Sequence, residues 1–343
     1  MKNIIITGVT GQDGSHMIDY LLKNTHHKIY GSVRRLSVKN HENILHLDRE
    51  DRFNLIDMDL NDAHSIRDVI LDIQPDYFIN FAAQSFVAGS WNYPIQTWET
   101  DSNSVLHMLE SIRRFAPHCR FYNAGSSEEF GDVVFSPQNE SHPLRPQSPY
   151  GASKCAARHI VRVYRESYGI YALQGWLFNH EGTRRGLDFV TRKITNGIAK
   201  IRRSIEKRSD FQPLFLGNLD AQRDWSDAED FMEGVWLMLN QDSPKEYVLA
   251  SGKMHTIRDF LEKTLSCAGI EFTKIGSKEK EKYVSTYTGQ SLVEINPKFY
   301  RPAEVHSLCG DPSLAEKELD WKRKTDFNEL VKKMYKNDYA LLS

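Results

Sequence analysis

Four cysteines in 343 residues, Cys119, Cys155, Cys267 and Cys309, are too few for a disulfide framework, and no two stand in a CxxC pair. That scarcity points to a reducing compartment. Long apolar runs are also missing, since no window reaches the roughly 18 apolar residues that a membrane-crossing helix needs. The short run Ile4–Ile6 meets Gly8 too early for a secretory leader. A soluble, unprocessed, cytoplasmic protein is therefore expected. Neither charge sign is in excess, because 44 Lys and Arg face 46 Asp and Glu. That balance gives no reason to expect nucleic acid or an anionic membrane as a partner. Internal repeats and low-complexity tracts are lacking too. What the chain does have is an ordinary globular balance, 40% apolar and 26% charged, with length for one large domain or two fused ones.

Through the first half, short apolar runs alternate with segments of helical period. Asn3–Ile6, Lys28–Val33, Leu55–Met58, Tyr77–Phe81 and Phe121–Ala124 read as strands, and Met17–Leu22, Ile66–Ile73 and Val105–Phe115 as helices. Such alternation implies βαβ units and an α/β fold with a Rossmann-type, doubly wound parallel sheet. A long helix over Ala152–Tyr168 is predicted, entered through the cap and first-turn pair Ser148-Pro149, and Tyr171–Leu177 follows as another strand. Past residue 178 the pattern loosens. Residues 1–177 are expected to form a dinucleotide-binding domain with a later contribution near 214–240. Residues 178–343 are expected to form mainly a smaller α/β substrate domain over the sheet's C-terminal edge. The charged stretch Lys274–Lys282 reads as a solvated loop or short helix.

Directly after the first strand and before the first helix, Gly8, Gly11 and Gly14 recur at three-residue spacing within Thr7-Gly8-Val9-Thr10-Gly11-Gln12-Asp13-Gly14. The first glycine allows the tight turn and the second lets backbone approach a pyrophosphate. The third lets helix and strand pack closely, with the helix N-terminus facing the phosphates. An NAD site commonly places an acidic residue at the end of the second strand, but here Arg34-Arg35 stand there. Arginine forks onto a 2′-phosphate, so the pair argues for NADP; solvated surface arginines are the alternative. Asp59-Leu60, ending the third strand, are placed to reach the adenine edge.

Among the tyrosines, Tyr150 alone has a lysine four residues on, and Lys154 then lies one helical turn away on the same face. Tyrosine titrates near a pKa of about 10, so it serves as a base at neutral pH only when cations stabilise its phenolate. Lys154 and a nearby nicotinamide cation are expected to do this. Upstream, Ser126 and Glu128 sit at the C-terminal end of a predicted strand, where open α/β sheets bind ligands. Ser126 can hydrogen-bond the hydroxyl being oxidised. A simple alcohol dehydrogenase needs no carboxylate there, so Glu128 reads either as an additional acid or base or as a loop carboxylate. A histidine beside Glu181 has no second spaced ligand, and no metal is expected.

Together these residues resemble the extended short-chain dehydrogenase/reductase family, and within it the GDP-mannose 4,6-dehydratases. The most specific segments are Thr10–Ser15, Ala83-Gln84-Ser85, Ser148–Ala152, Phe178–Glu181, Arg184-Arg185-Gly186, Phe189–Ile194, Gly217–Asp220, Arg223-Asp224-Trp225 and Arg301–Val305. The resemblance implies an internal redox cycle through bound NADP, giving a 4-keto-6-deoxy sugar, with Tyr150 acting at C4 and Glu128 at C5 and C6. It implies that Thr10, Gln12, Asp13, Ala82, Ala83, Gln84, Ser85, His180 and Arg185 join the cofactor site. It places Ser85, Ser126, Asn179, Val190, Lys193, Asn218, Arg223, Arg301 and Glu304 around a GDP-linked sugar. A homodimer or homotetramer is implied, with the helices Ser102–Arg114 and Ala152–Tyr168 pairing in a four-helix interface.

The chain departs from that pattern at several positions. Ser126 stands where threonine is expected, which keeps the hydroxyl. Phe86 replaces an expected histidine, Gln147 an arginine, and Glu129-Phe130 a leucine and tyrosine. These are expected to flank the sugar site and to admit a larger sugar, with a GDP-manno-heptose as the leading variant. A keto-sugar reductase or epimerase of the same family, using NADPH, is the alternative activity.

Overall fold

In the computed structural model, which describes residues 1–299 and 308–342, the chain begins as a regular βα alternation. Its elements are β1 (Asn3–Thr7), α1 (Gln12–Asn24), β2 (Lys28–Val33), β3 (Phe53–Asp57), α2 (Ala63–Ile73), β4 (Tyr77–Asn80), α3 (Val87–Asn92), α4 (Pro94–Trp98), α5 (Ser104–Phe115), β5 (Arg120–Ala124), α6 (Pro149–Tyr168) and β6 (Ala172–Leu177). The second half supplies β7 (Asn179–Glu181), α7 (Val190–Glu206), β8 (Leu214–Leu216), β9 (Gln222–Asp227), α8 (Ala228–Leu239), β10 (Val248–Leu249), β11 (Met254–Thr256), α9 (Ile257–Cys267), β12 (Phe272–Ile275), β13 (Lys282–Ser285), β14 (Ser291–Ile295), α10 (Ser313–Leu319) and α11 (Phe327–Ala340).

The large sheet runs β10-β6-β5-β4-β1-β2-β3, and every neighbouring pair is parallel. Its order reverses between β1 and β4, the switch point at which doubly wound sheets open a ligand crevice. The expected α/β class is borne out. Burial on both faces explains why β1 reads as an unbroken apolar run. Ile4 and Ile6 pack with Met17, Ile18 and Leu21 of α1 and Phe231, Met232 and Val235 of α8 on one face. Ile5 packs with Ile66 and Ile70 of α2, Met108 and Ile112 of α5, and Val161 of α6 on the other.

A second core lies among α7, α9, α11 and the four-stranded sheet β12-β13-β14-β8, centred on Ile194, Ile198, Phe260, Leu261, Tyr283, Val293 and Met334. Between the two units, β7, β9 and β11 form a small sheet with β9 in the middle. β8 belongs to the second unit's sheet, and the chain returns to the large sheet through α8 and β10. The charged stretch Lys274–Lys282 forms the expected, largely exposed loop with a short 3-10 turn over Lys278–Lys280, while its two ends belong to β12 and β13 of an antiparallel hairpin. Among the described residues no helix is long and apolar enough to cross a membrane.

Candidate active site

The glycine turn is tight enough that side chains are excluded from it. Gly8 takes φ +70°, and a Cβ there would meet the Ala82 nitrogen at 2.8 Å. A Cβ on Gly14 would lie 2.7 Å from the Gly8 carbonyl carbon and 2.8 Å from Val9 Cα. Gly11 N-caps α1 without any side-chain hydrogen bond, so the first amides of a 13-residue helix face the turn's mouth. Behind the turn the Thr7 hydroxyl donates to Asn80 Oδ1 at 2.5 Å and accepts from the amides of Phe81 and Ala82 at 3.1 and 3.0 Å, locking β1 to β4. This cradle fits the pyrophosphate of a dinucleotide. Arg34 and Arg35 are exposed just beyond β2. Asp59 and Leu60 follow β3, where Asp59 Oδ1 accepts from the Asn61 amide at 3.0 Å.

Ser148 caps α6 by accepting from the Gly151 amide at 3.0 Å, and Pro149 begins the helix, which sets Tyr150 in the first turn and Lys154 one turn later. Lys154 Nζ donates to the Ala124 carbonyl at 3.0 Å and lies 5.7 Å from the centre of the Tyr150 ring. Burial pushes the Tyr150 phenol well above its ordinary value and the charge of Asp101 adds to this, while a hydrogen bond with Ser126 opposes both. The expected depression by Lys154 therefore does not prevail within the protein alone. Ser126 opens a 3-10 turn over Ser127–Glu129, its hydroxyl accepting from the Glu128 amide at 3.2 Å.

One cavity of about 480 Å³ at the C-terminal edge of the large sheet brings most of the candidates together. Its lining includes Asp13, Ala83, Ser85, Ser126, Glu128, Tyr150 and Lys154 from the first unit. Asn179, His180, Arg185, Val190, Lys193, Asn218 and Arg223 complete it from the second half of the chain. Asp13 pairs with His180 at 2.9 Å, and Gln12 donates to the His180 carbonyl at 3.0 Å. Burial opposes both charges, yet mutual attraction wins, so Asp13 titrates below and His180 above the ordinary value. Arg185 pairs with Glu181 at 3.1 Å and stacks 3.5 Å above the Phe189 ring. Lys193, held down in pKa by burial, lies 4.0 Å over Phe299. Ala82 and Gln84 stand behind this wall; the Gln84 side chain turns back onto Phe86 and Thr97. Among the described residues no group of three or more His, Cys, Asp or Glu is placed to hold a metal ion.

Of the departures expected to flank the sugar, only Phe86 lines the cavity, packed edge-on to Phe189 at 6.1 Å. Gln147 is exposed outside it. Glu129 and Phe130 are fully buried, the first paired with Arg158 and the second packed on Trp176 and Phe178, because a 3-10 turn sends successive side chains in different directions. Arg301 and Glu304 lie outside the described residues. Two residues take parts that the sequence does not assign them. Phe189 is one, an aromatic wall of the cavity within the segment Phe189–Ile194. Asp101 is the other. It is 2% exposed in a π-helical turn over Glu99–Asn103, with Oδ1 accepting from the Gln84 amide at 2.7 Å and Oδ2 without a partner among the described residues. Burial raises its pKa to about 6. Only the π-turn, a feature frequent at functional sites, signals it.

The parallel sheet with its glycine cradle, and Ser126, Tyr150 and Lys154 gathered beyond β5 and on α6 at its C-terminal edge, have the architecture of the extended short-chain dehydrogenase/reductase fold. Structures with the same fold include dTDP-glucose 4,6-dehydratase from Bacillus anthracis, with a TM-score of 0.79 and 19% identity over 98% of this chain and 96% of that one. UDP-glucose 4-epimerase from Thermus thermophilus gives a TM-score of 0.80 and 22% identity over 98% of both chains. The family model described as GDP-mannose 4,6 dehydratase matches residues 5–334. GDP-mannose 4,6-dehydratase of Vibrio cholerae is 40% identical over 98% of this chain and 93% of its own length. The enzymes of that name from Drosophila melanogaster and Homo sapiens are 42% and 38% identical, over 99% and 98% of this chain and 87% and 91% of theirs. This chain belongs to the GDP-mannose 4,6-dehydratase family.

Proposed function

We propose that the protein is a lyase that removes water from a GDP-linked mannose-type sugar, giving the 4-keto-6-deoxy sugar. The observation that carries this reading is the meeting of Ser126, Glu128, Tyr150 and Lys154 in one cavity with Lys193, Asn218 and Arg223. NADP, which the Gly8–Gly14 turn would hold by its pyrophosphate, would supply the redox chemistry, accepting a hydride from C4 and returning it at C6 without net consumption. Tyr150 receives the C4 hydroxyl proton while Ser126 holds that oxygen. The C4 ketone acidifies the C5 proton, which Glu128 removes and passes to the departing C6 hydroxyl, so one water leaves. The proton that Tyr150 took from the C4 hydroxyl passes to C5 as the hydride reaches C6. Lys154, fixed on the Ala124 carbonyl, holds positive charge beside the phenol. Lys193 and Arg223 suit the diphosphate, as Arg301 and Glu304 would suit the remaining nucleotide contacts.

The exposed pair Arg34-Arg35 supports NADP over NAD through a fork onto the 2′-phosphate. Phe86, an apolar wall where histidine is expected, supports a second reading in which the sugar is a manno-heptose carrying one more carbon beyond C6. Pairing of α5 and α6 between copies would give a homodimer or, with a second interface, a homotetramer. Four free thiols support a reducing, cytoplasmic setting. A panel of GDP-hexoses and GDP-heptoses, scored by loss of one water with catalytic NADP, tests the assignment. Steady turnover of NADPH on keto sugars would replace it with the reductase reading.

A further inference from the structure

Behind the catalytic turn lies a buried polar cluster that the reaction itself does not use. Glu129 is fully buried, and its Oε1 accepts from the Ser126 amide at 2.8 Å and from Gln174 Nε2 at 3.1 Å. Arg158, 4% exposed, donates from Nε to Glu129 Oε2 at 2.5 Å and from a terminal nitrogen to Oε1 at 3.2 Å. The same arginine reaches the Gln174 carbonyl at 2.6 Å and Glu246 at 3.1 Å, and stacks 3.5 Å from the Trp176 ring. Gln174 Oε1 takes a hydrogen bond from Asn123 at 2.6 Å, and Asn80 donates to Asn123 at 2.7 Å. A continuous chain of side chains thus runs from β4 through β5 and β6 to the amide of Ser126. There is no slack in it, because a Cβ on Gly125 would meet Glu129 Oε1 at 2.6 Å and Arg158 Nη2 at 2.8 Å.

A buried carboxylate paired with arginine is a costly way to hold a fold together, since well-packed apolar residues do as well. What it offers is a fixed acceptor of defined direction. Here the acceptor holds the first amide of the turn whose next residues present Ser126 Oγ and Glu128 to the cavity. Tyr150 and Lys154 are anchored separately, on α6.

We propose that Glu129 is a positioning residue, its carboxylate clamped by Arg158 and Gln174 so that the Ser126–Glu128 turn is held at the reacting sugar. The proposal rests on the dehydratase reading above. Removing the clamp loosens Glu128, which eliminates water, and Ser126 beside it, while Tyr150, which takes the C4 proton, keeps its own anchor on α6.

The test uses full-length protein loaded with NADP, GDP-mannose as substrate, and two variants. Glu129→Gln keeps the shape but turns a donor toward Arg158 or Gln174; the double variant Glu129→Leu with Arg158→Leu removes both buried charges together. In each, kcat is expected to fall about 10- to 100-fold, the scale of an ångström-sized misplacement. KM should stay within about threefold of wild type, and NADP affinity should be unchanged. In a single turnover the near-ultraviolet absorbance of reduced nicotinamide should rise and decay slowly, because oxidation at C4 outruns elimination. Wild-type kinetics in the double variant overturn the proposal. A uniform loss of cofactor binding, KM and kcat with a lowered Tm in both variants also overturns it, by showing a merely structural role. Wild-type protein that forms no 4-keto-6-deoxy sugar overturns the dehydratase reading and the proposal with it.

Discussion

Replacing Gly14 with alanine tests the cofactor cradle at its tightest point. The new methyl would press on the Gly8 carbonyl oxygen, with the Gly8 carbonyl carbon at 2.7 Å and Val9 Cα at 2.8 Å, all of them backbone atoms. An ordinary carbon contact begins near about 3.5 Å, so the turn must retreat by about 0.8 Å. Overpacking of that kind costs about 1–3 kcal/mol of stability. A shift of that size also spoils amide hydrogen bonds to a pyrophosphate, each worth about 1.5–3 kcal/mol when the acceptor is charged. Loss of one such bond weakens binding about tenfold or more. Calorimetric titration of Gly14→Ala with NADP should show that weakening alongside a lower Tm. Gly182→Ala is the control, because its Cβ would meet only side-chain atoms at 3.5–3.7 Å. Equal NADP affinity in Gly14→Ala and wild type would refute the placement of the dinucleotide.

Glu128→Gln should bind NADP normally yet release no dehydrated sugar, whereas Tyr150→Phe should also suppress hydride transfer, read as absent reduced-nicotinamide absorbance in a single turnover. Asp101 ionises at about pH 6 and its negative charge holds the Tyr150 proton on. Asp101→Asn should therefore move the Tyr150-dependent limb of the kcat/KM profile to lower pH, and a shift upward would contradict the account. For the Asp13–His180 pair the signs are opposite. The raised His180 stabilises the fold at low pH and loses that contribution as pH rises through its folded value; the lowered Asp13 contributes above the ordinary carboxylate range. Wild-type Tm should thus exceed that of His180→Phe most between the carboxylate range and the His180 pKa, and the gap should narrow at alkaline pH. A constant gap would show that stacking on Phe231, not charge, sets the effect.

Much of the first unit was legible because strand and helix periods there are backed by punctuation. The run Ile4–Ile6 is buried on both faces, Ser148-Pro149 caps α6 as expected, and the glycine spacing sits at the β1–α1 turn. The second half of the chain was less so, since β7, β8, β10 and β11 span two or three residues each and carry no period of their own. In the site, residues whose role follows from spacing, such as Tyr150 and Lys154, were found. Glu129 was misplaced because one step along a 3-10 turn separates the cavity from the core. Asp101 was missed because its role arises from burial beside Tyr150 and Lys154, which only the packing of the π-turn reveals.

The most direct test follows product and cofactor together in a mixture of the protein, GDP-mannose and catalytic NADP. The account predicts a GDP-linked 4-keto-6-deoxy sugar, lighter by one water, formed over many turnovers with no net NADPH. Stoichiometric accumulation or consumption of NADPH, or product that retains the C6 hydroxyl, would contradict it.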